Sequence, residues 1–164
     1  MSEELALFRD NVKRFVDTEV LPHYQQWEKA EIFPRELWNK LGEQGLLAVD
    51  IPEAYGGYGA NFLFSMAIQE TFARANCGAI GGPMAVHSDI VAHYLLNKGT
   101  EAQKQRFLPR MVSGACVGAV AMTEPGTGSD LAGMRTTAVQ DGDHWVVNGS
   151  KTFITGGMQA DLVV

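Results

Sequence analysis

Near residue 115 the spacing of apolar side chains changes from three- and four-residue steps to alternation, and that change limits what the chain can become. A 3.6-residue repeat buries one face of a helix, whereas alternation buries one face of a strand. Upstream, Leu5, Phe8, Val12, Phe15, Val16 and Val20 form one helical stripe. Pro22 is expected to end that helix, because it has no amide to donate and crowds the preceding turn. A second helix is predicted from Pro34, a suitable first-turn residue, with Leu37, Trp38 and Leu41 turned inward. PEAYGGYGAN (52–61) reads as a loop. Residues 62–75 and 84–98 read as two largely apolar helices buried in a bundle. Thr100 and Gln103 have the spacing of a capping box, opening a helix that Pro109 should interrupt near its end.

Downstream, ACVGAVAM (115–122) suits a short buried strand, and the segment from Met134 to Thr155 alternates. Asp141-Gly142 and Asn148-Gly149 are strong two-residue hairpin signals. The fold class expected is therefore α+β: an all-α helical bundle over residues 1–115, then the first strands of an antiparallel β-barrel domain over 116–164. DLVV (161–164) is an apolar strand with no turn after it. A sheet cut there leaves a bare edge, which natural proteins avoid. The sequence is thus expected to be a truncated piece, or to have its remaining strands supplied from elsewhere.

Composition narrows the function classes. With 46% apolar and 20% charged residues the chain is globular rather than disordered. It has no run of 18 apolar residues to span a membrane. A net charge of −6 argues against nucleic acid, so an anionic ligand would have to be held by local dipoles and a few placed cations. The acidic start MSEELALF is unlike a signal or transit peptide. It points to the bacterial cytoplasm, or to the mitochondrial matrix if a transit peptide has been removed. Cys77 and Cys116 read as free thiols, and the four histidines show no metal-ligand spacing.

AMTEPGTGSDLAG (121–133) admits two readings. Gly126 and Gly128 can adopt positive φ, and the amides of 127–130 with the Ser129 hydroxyl can form a nest for a pyrophosphate. Equally, the stretch can be a plain exit from a strand with an Asx-type turn. No lysine follows the glycines, which excludes a P-loop, and the third glycine and long helix of a Rossmann site are missing.

A helical bundle, then AMTEPGTGSDLAG, then NGSKTFITGG, resembles the acyl-CoA dehydrogenase family, and most its long-chain branch. The likeness runs along the whole chain and includes IPEAYGGYGA and KGTEAQKQRFLPRMVSG. It implies an FAD enzyme that dehydrogenates an acyl-CoA thioester, of medium to long chain, across its α and β carbons. In such enzymes a carboxylate takes the α proton, hydride passes to flavin N5, and electrons go on to an electron-transferring flavoprotein. It also implies a homotetramer. Carried onto this sequence, Met122 and Thr123 face the flavin pyrimidine, and Gly128 and Ser129 hold the FAD pyrophosphate, with Ser129 also reaching the substrate. Phe153, Ile154 and Thr155 match the second flavin motif, Phe153 where tryptophan is usual. Val120 takes a flavin position that is often aromatic.

The resemblance places no catalytic residue here, because the family's carboxylate lies beyond residue 164. None of Glu3, Glu70, Glu101 or Glu124 matches it. The alternative is a non-catalytic binding or assembly subunit of this fold; an oxidase or monooxygenase on the same scaffold is a third reading. Other features read as packing or surface. The helix from Met84 to Leu96 is core with His87 a satisfied buried histidine, and Trp27, Trp38 and Trp145 pack. Lys104, Arg106 and Arg110 form a solvated face, and Lys151 is a surface strand residue.

Overall fold

The computed structural model describes residues 2–164. Helix α1 (Glu3–Phe15) starts on Ser2, whose hydroxyl accepts from the Leu5 amide at 3.2 Å. Acidic residues in its first turn and basic ones in its last complement the helix dipole. The chain stays helical through a wide π turn (Val16–Val20) into α2 (Leu21–Ala30). Pro22 therefore does not end the helical path. The π turn bonds the Leu21 amide to the Val16 carbonyl, and Pro22 falls in the first turn of α2, where a missing amide costs little.

Helix α3 (Glu36–Glu43) follows Pro34 and buries Leu37, Trp38 and Leu41. A 3₁₀ turn at Glu53–Tyr55 interrupts the glycine-rich loop before α4 (Phe62–Arg74), which Asn61 caps. Although largely apolar, α4 buries only one side. Phe62, Leu63 and Met66 are exposed, while Ser65, Ala67, Ile68 and Phe72 face inward. The next helical run starts at Gly78, earlier than expected, as α5 (Gly78–Ala85), and passes through a second π turn (Val86–Val91) into α6 (Ala92–Lys98). Helix α7 (Glu101–Val112) has the capping box: the Gln103 amide donates to Thr100 Oγ1 at 3.3 Å, and the Thr100 amide to Gln103 Oε1 at 2.8 Å. Pro109 lies inside α7 without breaking it. The carbonyl its amide would have bonded belongs to Gln105, which is exposed and can be solvated.

Two apolar clusters make the core. One gathers α1, the first π turn, α3, α4 and α5 around Trp38 and Phe72; the other gathers the second π turn, α6, α7 and Ile51 around Leu108 and Met111. Phe8 of α1 meets Phe64 of α4 edge-on, with centroids 5.1 Å apart, and Arg9 pairs with Glu70 at 2.6 Å.

The β region is partial and unclosed, with its strands in two separate pairs. Buried β1 (Gly118–Ala119) pairs in parallel with β4 (Leu162–Val163), and β2 (Thr137–Asp141) pairs antiparallel with β3 (His144–Asn148). The first hairpin signal holds: Asp141 faces His144 across Gly142-Asp143, with Gly142 at φ 61°. The second does not. Asn148-Gly149 ends β3 without a reversal, because Gly149 packs flat on Thr136, whose Oγ1 lies 2.1 Å from where a Cβ would stand. Trp145, expected to pack, is 65% exposed on the hairpin. Among the described residues no helix is long and apolar enough to cross a membrane.

Candidate functional site

The chain leaves β1 through Val120 and Ala121, whose amide donates to the Val164 carbonyl at 2.8 Å. Val120 is half-buried and packs on the second core cluster. After Met122 and Thr123 the backbone folds back at Pro125-Gly126. The Glu124 amide donates to the Thr127 carbonyl at 2.9 Å and the Thr127 amide to the Glu124 carbonyl at 3.1 Å. A 3₁₀ turn at Leu131–Gly133 closes the loop, with Thr127 Oγ1 donating to the Gly133 carbonyl at 3.1 Å. Neither Gly126 nor Gly128 takes positive φ, contrary to the first of the two sequence readings. Both stand in the open: a Cβ at either would meet nothing within 4 Å.

Glu124 is the hub of this loop. Its side chain is 7% exposed, and its carboxylate accepts from the amides of Arg135 at 2.7 Å and Thr136 at 2.9 Å and from Lys151 Nζ at 3.0 Å. The Thr136 hydroxyl, which makes no hydrogen bond of good geometry, lies beside it too. That hydroxyl, the two amides and the Lys151 ammonium hold the Glu124 carboxyl down to about 2 against partial desolvation.

The second motif is stitched to the first. Lys151 Nζ also donates to the Met122 carbonyl at 3.2 Å, and the Thr152 amide donates to the Thr123 carbonyl at 3.0 Å. Lys151 is therefore no surface strand residue. These bonds bring Met122 and Thr123 beside Phe153, Ile154 and Thr155, while Gly128 and Ser129 stand out on the loop, exposed. Phe153 is 92% exposed and adopts φ 56°, a left-handed conformation uncommon for an aromatic residue. Ile154 lines a cleft of about 400 Å³ with Tyr24, Trp27, Ile80 and Pro83.

Among the described residues, the first motif's amides of Met122, Thr123, Gly126, Gly128, Ser129, Asp130 and Ala132 donate to no acceptor in the chain. Nothing in local spacing marked Glu124 and Lys151 as partners; the one available signal was that each sits inside one of the two motifs. Of the other glutamates weighed, Glu70 is engaged with Arg9 and Arg74 and Glu101 with Tyr55 and Gln105, while Glu3 is exposed in the first turn of α1.

A helical bundle feeding a partial sheet, with two glycine-bearing segments clamped side by side, is the arrangement of the first two domains of acyl-CoA dehydrogenases. Residues 2–115 match the acyl-CoA dehydrogenase N-terminal domain, and residues 119–164 match the acyl-CoA dehydrogenase middle domain. The chain belongs to the acyl-CoA dehydrogenase family. It is 48% identical over 163 residues to the mitochondrial long-chain specific acyl-CoA dehydrogenase of Sus scrofa, covering 99% of this chain and 37% of that protein. An acyl-CoA dehydrogenase from Geobacillus kaustophilus superposes over the whole chain with a TM-score of 0.96 at 47% identity, 43% of that chain being covered. A Bacillus anthracis acyl-CoA dehydrogenase complexed with FAD superposes over the whole chain at 0.93 and 36% identity, with 28% of that chain covered. This chain thus spans about two-fifths of the length of that long-chain relative and of a Bacillus subtilis acyl-CoA dehydrogenase that it also matches.

Proposed function

We propose that this chain forms one wall of the flavin and acyl-CoA site of an FAD-dependent acyl-CoA dehydrogenase, and that on its own it binds rather than catalyses. The observation that carries this reading is the stitching of the two motifs, which brings the open amides of Met122 and Thr123 beside an exposed aromatic ring, with those of Gly128, Ser129 and Asp130 open on the adjoining loop. These groups suit FAD. Amides in an open loop hold a pyrophosphate without net positive charge, and an exposed ring offers a stacking face to an isoalloxazine. FAD, when bound, supplies the hydride acceptor for dehydrogenation.

The roles given to the chain's own residues are those the family resemblance implies. The amides of Met122 and Thr123 donate to the flavin's pyrimidine side, where negative charge develops on reduction and fixed donors stabilise it. Gly128 and Ser129 take the pyrophosphate, and the Ser129 hydroxyl reaches the acyl-CoA. Phe153 stacks, with Ile154 anchoring the segment to the helical bundle and Thr155 adding a donor. Glu124 is unsuited to remove an α proton, because a carboxyl held near 2 is too weak a base at neutral pH and its oxygens are committed. The base belongs to a part of the enzyme other than this chain. The 48% identity to long-chain specific enzymes supports a medium- to long-chain acyl group. An electron-transferring flavoprotein as acceptor and a homo-oligomeric assembly complete the reading.

Anaerobic titration of the complete polypeptide with a long-chain acyl-CoA, read in the visible flavin band, tests this. Bleaching of the band is the expected outcome. The same titration on residues 1–164 with added FAD should show no bleaching; bleaching there would place a working base in this chain and defeat the binding-only assignment.

A further inference from the structure

Lys151 and Glu124 make no hydrogen bond to the open amides, yet Lys151 acts directly on the peptide between Met122 and Thr123, and Glu124 acts on it through Lys151. A trans peptide points its carbonyl and its N–H in opposite directions. Lys151 Nζ sits on the Met122 carbonyl at 3.2 Å, so the Thr123 N–H of the same peptide is turned away from the lysine. A cation on the carbonyl oxygen draws charge through the amide and makes its N–H a stronger donor. Glu124, at 3.0 Å from Lys151 Nζ, offsets part of that charge. Its bonds to the Arg135 and Thr136 amides also tie the two ends of the exposed loop together.

We propose that Lys151 is a positioning residue that orients and polarises the Thr123 amide toward the flavin, and that Glu124 sets how much of the lysine's charge the flavin feels. This rests on the flavin reading above. It assigns the pair an electrostatic role in addition to a structural one, and the two have different signatures. Loss of a purely structural bond disturbs the site in the same way whichever partner is removed. Loss of a charge does not. Lys151→Met leaves the Glu124 carboxylate uncompensated, still ionised by its two amide donors, and the nearby negative charge disfavours flavin reduction. Glu124→Gln leaves the ammonium uncompensated and favours reduction.

The test is spectroelectrochemical titration of the bound flavin in the complete polypeptide, with FAD dissociation constants measured alongside. Relative to wild type, Lys151→Met should lower the midpoint potential and weaken FAD binding up to about tenfold, the worth of the one amide hydrogen bond from Thr123 that loses its orientation. Glu124→Gln should raise the potential, and Lys151→Arg should keep it near the wild-type value. Shifts of the same sign in Lys151→Met and Glu124→Gln, or no shift in either, overturn the proposal while leaving the flavin site intact. If Lys151→Met does not fold, Glu124→Gln alone decides: an unchanged or lowered potential overturns it. A wild-type polypeptide that takes up no FAD removes the flavin reading and this inference together.

Discussion

His87 stands between two elements, with Nε2 donating to the Met111 carbonyl at 3.0 Å and Nδ1 accepting from the Gly118 amide at 3.0 Å. These partners assign the neutral Nε2–H tautomer, and the ring is fully buried against Trp38. Burial, with the Arg35 charge adding to it, pushes the imidazolium down to about 4, against the Met111 carbonyl's opposing pull. The unfolded chain takes up this proton near 6.5, well before the folded one. Stability from this group is therefore full above about pH 6.5 and drains away as pH falls toward 4, by about 3 kcal/mol across the window. Urea midpoints measured from pH 7 to 4 should fall accordingly, and His87→Gln should flatten that slope. A flat wild-type profile would contradict the assignment. The satisfied histidine was readable as a type, since a lone histidine on an apolar helix is most often core; its two partners, 24 and 31 residues away, were not.

At the scale of elements, local rules were legible and ladder adjustments were not. The capping box at Thr100 and Gln103 involves groups three residues apart, so the sequence alone contains everything that forms it. Thr100→Ala should lower stability by about 1 kcal/mol, read as a shift in thermal midpoint, with Gln103→Ala costing less because the Thr100 amide it serves is exposed to water. A midpoint unchanged by Thr100→Ala would mean the cap is idle. Pro22, by contrast, misleads a reading that treats proline as a stop. It lies just after a π turn, where the i−5 bonds shift the ladder's register, and Pro83 likewise sits inside a helix just before the second π turn. Which turn widens is decided by packing: Val16 and Val20 are buried in one core cluster and Val91 in the other, and nothing local specifies it. Asn148-Gly149 fails for a related reason, since its glycine serves a close approach to Thr136 across the β2–β3 hairpin instead of a reversal.

Across the whole molecule, the candidate site is held by contacts from helix α3 and the loop before it to the segment after the second motif. Arg35 donates to the Gly114 carbonyl at 2.9 Å and pairs with Asp161 at 2.7 Å, and Asp161 also accepts from the Val117 amide at 2.8 Å. Gln159 accepts from Trp38 Nε1 at 2.8 Å and donates to the Phe33 carbonyl at 2.6 Å. These groups are 121 and 126 residues apart in sequence, which is why the two motifs could be read as belonging together while their attachment to the helical bundle could not. Gln159 matters most because Trp38 is fully buried and its indole N–H has no other acceptor among the described residues. Gln159→Leu fills similar space but strands that donor, at a cost of about 2 kcal/mol, more than the exposed Arg35–Asp161 pair should yield on its own. Chemical denaturation followed by tryptophan fluorescence would measure it. Loss of stability in Gln159→Leu together with faster proteolysis of residues 150–160 would show that the bundle secures the second motif through this side chain. A loss of stability without faster cleavage would instead assign Gln159 to the core alone, with Arg35 and Asp161 left to fix the position of Phe153.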